Sequence, residues 1–226
     1  MTPFLRILEN EVQIAALSFM VIVYILRLRW LFRFRISAER TWAAGSERAG
    51  IVYALLGAAR PGAMASSRKR SWFFVQFVVF HVGVAVAIGA TFVIPYAPRL
   101  FRNLVAVRLF QIVIGAAAAV GILRLIRRIR TASLRAVSTP DDYVSIVLMI
   151  LFFGAGVLAV PNTPEKSEWP LALFFALTAV FLVYVPFSKI CHYLYYPFTR
   201  YFLGKTLGHR GVFPPRKAGR VREGDA

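Results

Sequence analysis

Five apolar stretches, each close to twenty residues long, constrain this chain more than any other feature. They lie at about 12–30, 72–95, 104–123, 143–160 and 170–192. A helix rises about 1.5 Å per residue, so about 20 apolar residues cross a hydrocarbon core about 30 Å thick. Water is absent there, and a lone segment can satisfy its own backbone only as a helix. Composition agrees. Soluble domains are about 45–50% apolar, whereas this chain is 58% hydrophobic with a mean hydropathy of +0.63. The surplus has to face lipid. The expectation is an all-α membrane protein, a five-transmembrane-helix bundle within residues 1–199, followed by a basic tail at 200–226.

The formal charge of +18 invites a nucleic-acid reading, but its distribution argues against one. Of 28 Lys and Arg, 23 fall on one side of the expected bundle: ten from Arg27 to Arg70, five from Arg124 to Arg135, and eight from Lys189 onward. Five remain for the other side: Arg6, Arg99, Arg102, Arg108 and Lys166. Lys and Arg accumulate in cytoplasmic loops. The N-terminus is therefore expected outside, with loop 36–70 and the C-terminus in the cytoplasm. Basic residues at the cytoplasmic helix ends suit anionic lipid heads. No nucleic-acid partner is expected.

Local signals refine the pattern. Residues 1–10 read as a short outer tail. The first apolar stretch leads into Arg27, Arg29 and Trp30 without a small-residue cleavage site, as in a retained helix. Ile51 to Leu56 could form a short helix lying on the membrane surface or packed on a partner. Pro61-Gly62 is expected to end it, and Arg68-Lys69-Arg70 marks re-entry. Asp141-Asp142 should cap the fourth span, where acidic groups suit the helix dipole. Pro186 should kink the fifth span or loosen its last turns.

Two of the three histidines lie in or beside apolar stretches. His81 sits among phenylalanines and valines, and His192 follows Pro186-Phe187-Ser188-Lys189-Ile190-Cys191. An ionisable ring at membrane depth is costly, which makes it a functional-site candidate. Two such rings on different helices suggest one object shared between them, and a haem iron takes an imidazole on each face. Gly83 could admit a macrocycle or simply a neighbouring helix. Arg108 and Gln111 could snorkel to the outer interface or contact a haem propionate or a quinone. The lone Cys191 excludes an internal disulfide and an iron–sulfur cluster, which needs about four thiolates; it reads as a packing residue. No CxxCH occurs, so covalent haem is not expected. His209 reads as a solvated tail histidine.

Phe80-His81-Val82-Gly83, together with Pro186 to His192 and the following Pro197, resembles the gamma-subunit family of respiratory nitrate reductases. The resemblance covers most of the chain in helix count and order. It implies a five-helix cytochrome b in which the inner haem is held by one histidine from the second helix and one from the fifth. Those positions are His81 and His192. The family's second, outer pair would fall at Thr91 and Phe174, neither a usual ligand. The resemblance therefore implies one haem b. Short members of the family occur in transmembrane redox complexes of sulfate-reducing bacteria, including the high-molecular-weight cytochrome c complex, and this chain looks like such a member. The implied setting is the bacterial inner membrane. The implied partners are a cytoplasmic iron–sulfur subunit, a second membrane subunit and a multihaem cytochrome c, with menaquinone as a candidate further ligand.

A single inner haem cannot carry electrons across about 30 Å of hydrocarbon alone. The outer space near Thr91, Phe174 and Gln111 could hold a quinone or be filled by side chains. Both histidines can meet one iron only if the second helix starts inside the cytoplasm or the fifth bends at Pro186, and both are expected. The competing reading is a structural anchor of the same kind of complex without haem. A small transporter fits poorly, because membrane-embedded acids, broken helix pairs and internal repeats are missing from the sequence.

Overall fold

The structure, a computed structural model, describes residues 1–34, 39–57 and 71–215. Among them, regular structure is entirely helical: α1 (Pro3–Glu9), α2 (Glu11–Phe32), α3 (Glu47–Gly57), α4 (Ser71–Tyr96), α5 (Leu104–Arg130), α6 (Ala132–Ala136), α7 (Pro140–Ala159), α8 (Trp169–Tyr184) and α9 (His192–His209). Short 3₁₀ turns occupy Pro98–Arg102, Val185–Phe187 and Lys189–Cys191. Five segments are long and apolar enough to cross a membrane: 3–32, 71–96, 104–130, 140–159 and 169–187. The chain divides into two compact units, one of Met1–Arg29 with Trp72–Cys191, the other of Trp30–Ser71 with His192–Ala226. The boundary expected at 199/200 falls inside α9.

In the first unit, aromatic rings fill the centre. Phe152 stacks on Phe174 with centroids 5.1 Å apart and planes at 16°. Phe153 meets Phe80 edge-on at 5.4 Å. Small residues let α4 approach α5: a Cβ on Gly83 would collide with that of Ala117, and Ala87, Ala90 and Ala117 are wholly buried. The exterior is the reverse of a water-soluble surface. Ile22 is 57%, Phe92 52% and Ile112 66% exposed, a distribution compatible with contact with membrane lipid.

The expected outer tail is instead helix α1. Thr2 stands before Pro3, a pairing suited to an N-cap and first turn, and its Oγ1 accepts from the Leu5 N–H at 3.3 Å. The Thr2 N–H and hydroxyl donate to the Glu168 carboxylate at 2.6 and 2.5 Å. Gln13 Nε2 donates to the Phe175 carbonyl at 2.8 Å. These bonds tie the start of the chain to α8 and the turn before it.

The fifth span breaks where Pro186 was expected to disturb it. Pro186 has no N–H to offer, α8 stops at Tyr184, and the chain goes on through two 3₁₀ turns before α9 begins at His192. The Ser188 N–H donates to Val185 at 3.2 Å and the Cys191 N–H to Ser188 at 3.1 Å.

The second unit is built on α3 and α9, antiparallel and in backbone contact. A Cβ on Gly204 would lie 2.6 Å from the Ile51 Cα, and one on Gly208 would lie 2.6 Å from the Ser46 carbonyl oxygen. Gly50 and Ala54 are the buried residues of α3. The short helix anticipated around 51–56 is thus present and packs on its own chain. The tail expected from residue 200 continues as helix to His209, because its glycines fit against α3. Gly211 has a φ of +69° and ends α9 in a left-handed turn, with the Val212 N–H bonded back to Leu207 at 2.9 Å. Pro61-Gly62 and Arg68-Lys69-Arg70 lie outside the described residues.

Gly204→Val should force α3 and α9 apart, since overpacking of this kind costs about 1–3 kcal/mol or more. Limited proteolysis should then cut within 39–57 faster than in the parent chain. Gly57→Ala, with nothing within 4 Å of the added carbon, should leave the digestion rate unchanged.

Candidate functional site

His81 projects from the middle of α4 as an exposed side chain in an otherwise apolar helix. Its Nδ1 lies 2.8 Å from the Phe77 carbonyl oxygen one turn earlier. A carbonyl only accepts, so Nδ1 carries the proton. The Phe77 ring lies 4.0 Å from the imidazole, centroid to centroid, and Phe80 lies 6.0 Å away at 71°. The ring is thus oriented by its own helix. Histidines that ligate a metal almost always donate the other ring N–H to a carbonyl, a carboxylate or water, and the Nδ1 bond of His81 is of that kind.

His192 opens α9 as an exposed residue immediately after the buried Cys191. It belongs to the second unit, whereas His81 belongs to the first. Among the described residues no three His, Cys, Asp or Glu side chains converge as a metal-binding group. Haem ligation asks for two imidazoles rather than such a cluster.

The other candidates have local partners. Gly83 faces Ala117 and Val113 of α5, so it serves helix packing, the second of the two roles open to it. The Arg108 guanidinium donates to Gln111 Oε1 at 3.3 Å, and Gln111 Nε2 donates to the Val157 carbonyl at 3.0 Å. The pair therefore links α5 to α7. The Thr91 hydroxyl returns to the Ile88 carbonyl at 2.7 Å. Phe174 is wholly buried in the aromatic core.

A polar network missed in the sequence surrounds the break before His192. Asp141 accepts from the Tyr184 hydroxyl at 2.5 Å and from the Lys189 N–H at 2.9 Å. Ser145 meets the Tyr184 hydroxyl at 3.0 Å. Asp142 caps α7 by accepting from the Thr139 N–H at 2.8 Å, as its position suggested. It also accepts from Lys189 Nζ at 2.7 Å and faces Arg128 at 3.7 Å. The start of α7 therefore fixes the chain between Tyr184 and Lys189. Only the capping role was readable in advance, since the other partners lie more than a helix away in sequence.

His209 is not a solvated tail residue. Its side chain is 15% exposed, with Nδ1 3.3 Å from Glu47 Oε1 and Nε2 donating to the Thr41 carbonyl at 2.8 Å. One residue on, Arg210 Nε and Nη2 donate to Glu39 Oε2 at 3.0 and 2.9 Å. Thr41 Oγ1 donates to the other Glu39 oxygen at 3.1 Å. These bonds, with Arg210 foremost, hold the Glu39 carboxyl below its usual range.

A carboxyl with a lowered folded value stabilises the fold above its ordinary range and loses that effect as pH falls through the lowered value. Closure of 39–45 onto the end of α9 should therefore weaken on acidification below the ordinary carboxylate range. Protease protection of this segment, measured against pH, should fall more steeply in the parent than in Glu39→Gln, which starts weaker at neutral pH.

Compared with known proteins, the chain matches no family model and no curated relative.

Proposed function

We propose that this chain is a membrane cytochrome b subunit that relays electrons within a multisubunit redox complex. The observation that carries this reading is His81, a histidine within an apolar spanning helix whose Nδ1 donates to the Phe77 carbonyl at 2.8 Å, the kind of bond that orients a metal-ligating imidazole. His192, beside the break in the fifth span, is the second ligand. Haem b, when bound by two imidazoles, supplies one-electron redox chemistry with both axial positions filled.

The chain's own residues do the rest. Phe77 and Phe80 fix the ring of His81. Asp141 fixes the segment that leads to His192 by holding Tyr184 and the Lys189 N–H. The wholly buried Phe174 occupies a place where the nitrate reductase gamma-subunit family carries an outer ligand, in line with one haem rather than two. The charge distribution supports an N-terminus outside and a C-terminus in the cytoplasm of a bacterial inner membrane. The basic inner side suits an iron–sulfur subunit as electron partner. A second membrane subunit, a multihaem cytochrome c and menaquinone complete the setting implied by the family resemblance.

The test is a dithionite-reduced minus oxidised spectrum with a pyridine haemochrome count on the purified chain, His81→Ala and His192→Ala. The expected result is about one haem b per chain, lost from both variants, as two axial imidazoles require. Two haems would overturn the single-site reading. None, in a folded chain, would overturn the relay and leave a structural anchor.

A further inference from the structure

Arg124 and Arg127 form a cationic pair on the inner half of α5, against the helix that carries His81. Gly121, one turn before Arg124, faces the Phe80 ring, which lies 3.6 Å from where a Cβ would stand. The Arg124 guanidinium carbon lies 5.2 Å from the centre of that ring. The Arg127 guanidinium carbon lies 4.1 Å from the centre of Phe73, two turns earlier on α4. Arg128 differs from both, because it faces Asp142. Among the described residues neither Arg124 nor Arg127 has an acidic partner.

The pair is expensive as it stands. Arg124 is half-buried within a membrane-spanning helix, and a like charge follows it at a spacing where helix neighbours repel. Stacking on a ring covers one face of a guanidinium and leaves its N–H edge directed in the plane. That edge matches an oxyanion with two acceptor atoms. Two such edges, three residues apart on one helix, match a ligand with two negative groups. Phe80, which carries Arg124, is also the ring beside His81.

We propose that Arg124 and Arg127 bind the two propionate carboxylates of the haem held at His81, an inference that rests on the relay reading above. They anchor the cofactor's edge while the histidines hold its iron. Two cations near the ring also favour the reduced form, which carries one more negative charge.

The experiment compares the purified full-length chain with Arg124→Gln, Arg127→Gln and Arg124→Lys. The readouts are haem content, midpoint potential, the propionate-bending band in resonance Raman, and phospholipid phosphorus that co-purifies. The glutamine variants should keep their haem, shift the propionate band and move the midpoint to lower potential. Arg124→Lys should recover the potential but not the band, because it restores the charge without the fork. If Arg124→Gln does not fold, Arg127→Gln and Arg124→Lys carry the same comparison. An unchanged band and potential in haem-loaded variants would overturn the inference and leave the relay standing. Loss of bound phospholipid with an unchanged band would overturn it too, and assign the pair to a lipid phosphate. A folded parent chain without haem would overturn both readings together.

Discussion

Backbone amides that cannot reach water set the terms for the first unit. Over each span the helix answers them internally. Where the fifth span stops being an α-helix, at Pro186, the exposed groups need other partners, and the chain supplies them. Asp141 takes the Lys189 N–H, and Ser188 Oγ takes the Ile190 N–H at 3.2 Å. A proline that would be costly in open hydrocarbon is tolerable beside this carboxylate. The break ends α8 at Tyr184, and α9 begins at His192.

Small residues bring helices together in both units. Apolar side chains gain little by meeting each other in lipid, so association between spans depends on close packing, which Gly83 against Ala117 achieves within the first unit. Outside the spans, Gly50 with Gly204 and Gly208 brings α3 and α9 into backbone contact. Polar bonds then fix direction and register. Gln111 reaches the backbone of α7, and Arg210 and His209 fasten the segment before α3 to the end of α9.

The spans were legible because twenty apolar residues in hydrocarbon have one common solution, and Asp142 as a cap and Pro186 as a break were legible for equally local reasons. What escaped depended on distant partners. Helix α1 is recognisable from Thr2-Pro3, but its purchase on Glu168 is not. Gly204 and Gly208 have helical spacing, yet nothing local says that Gly50 opposes them. Gly83 reads equally well as room for a ring or for a helix, and the structure gives it to Ala117. His209 looked solvated because its acceptors, Thr41 and Glu47, lie on the far side of four spans. For the candidate site the sequence could single out His81 and His192 as chemically unusual. The tautomer of His81 depends on the Phe77 carbonyl, which only coordinates reveal.

The pairing of α3 with α9 has a consequence for how the molecule is made. Helix α3 precedes four of the spans and α9 follows all five. During synthesis α3 therefore emerges long before its partner exists, with its glycine face open. The second unit can close only after the last span has been delivered, so its closure reports that the chain between has been completed. A nascent chain halted between α3 and α9 carries an unmatched α3.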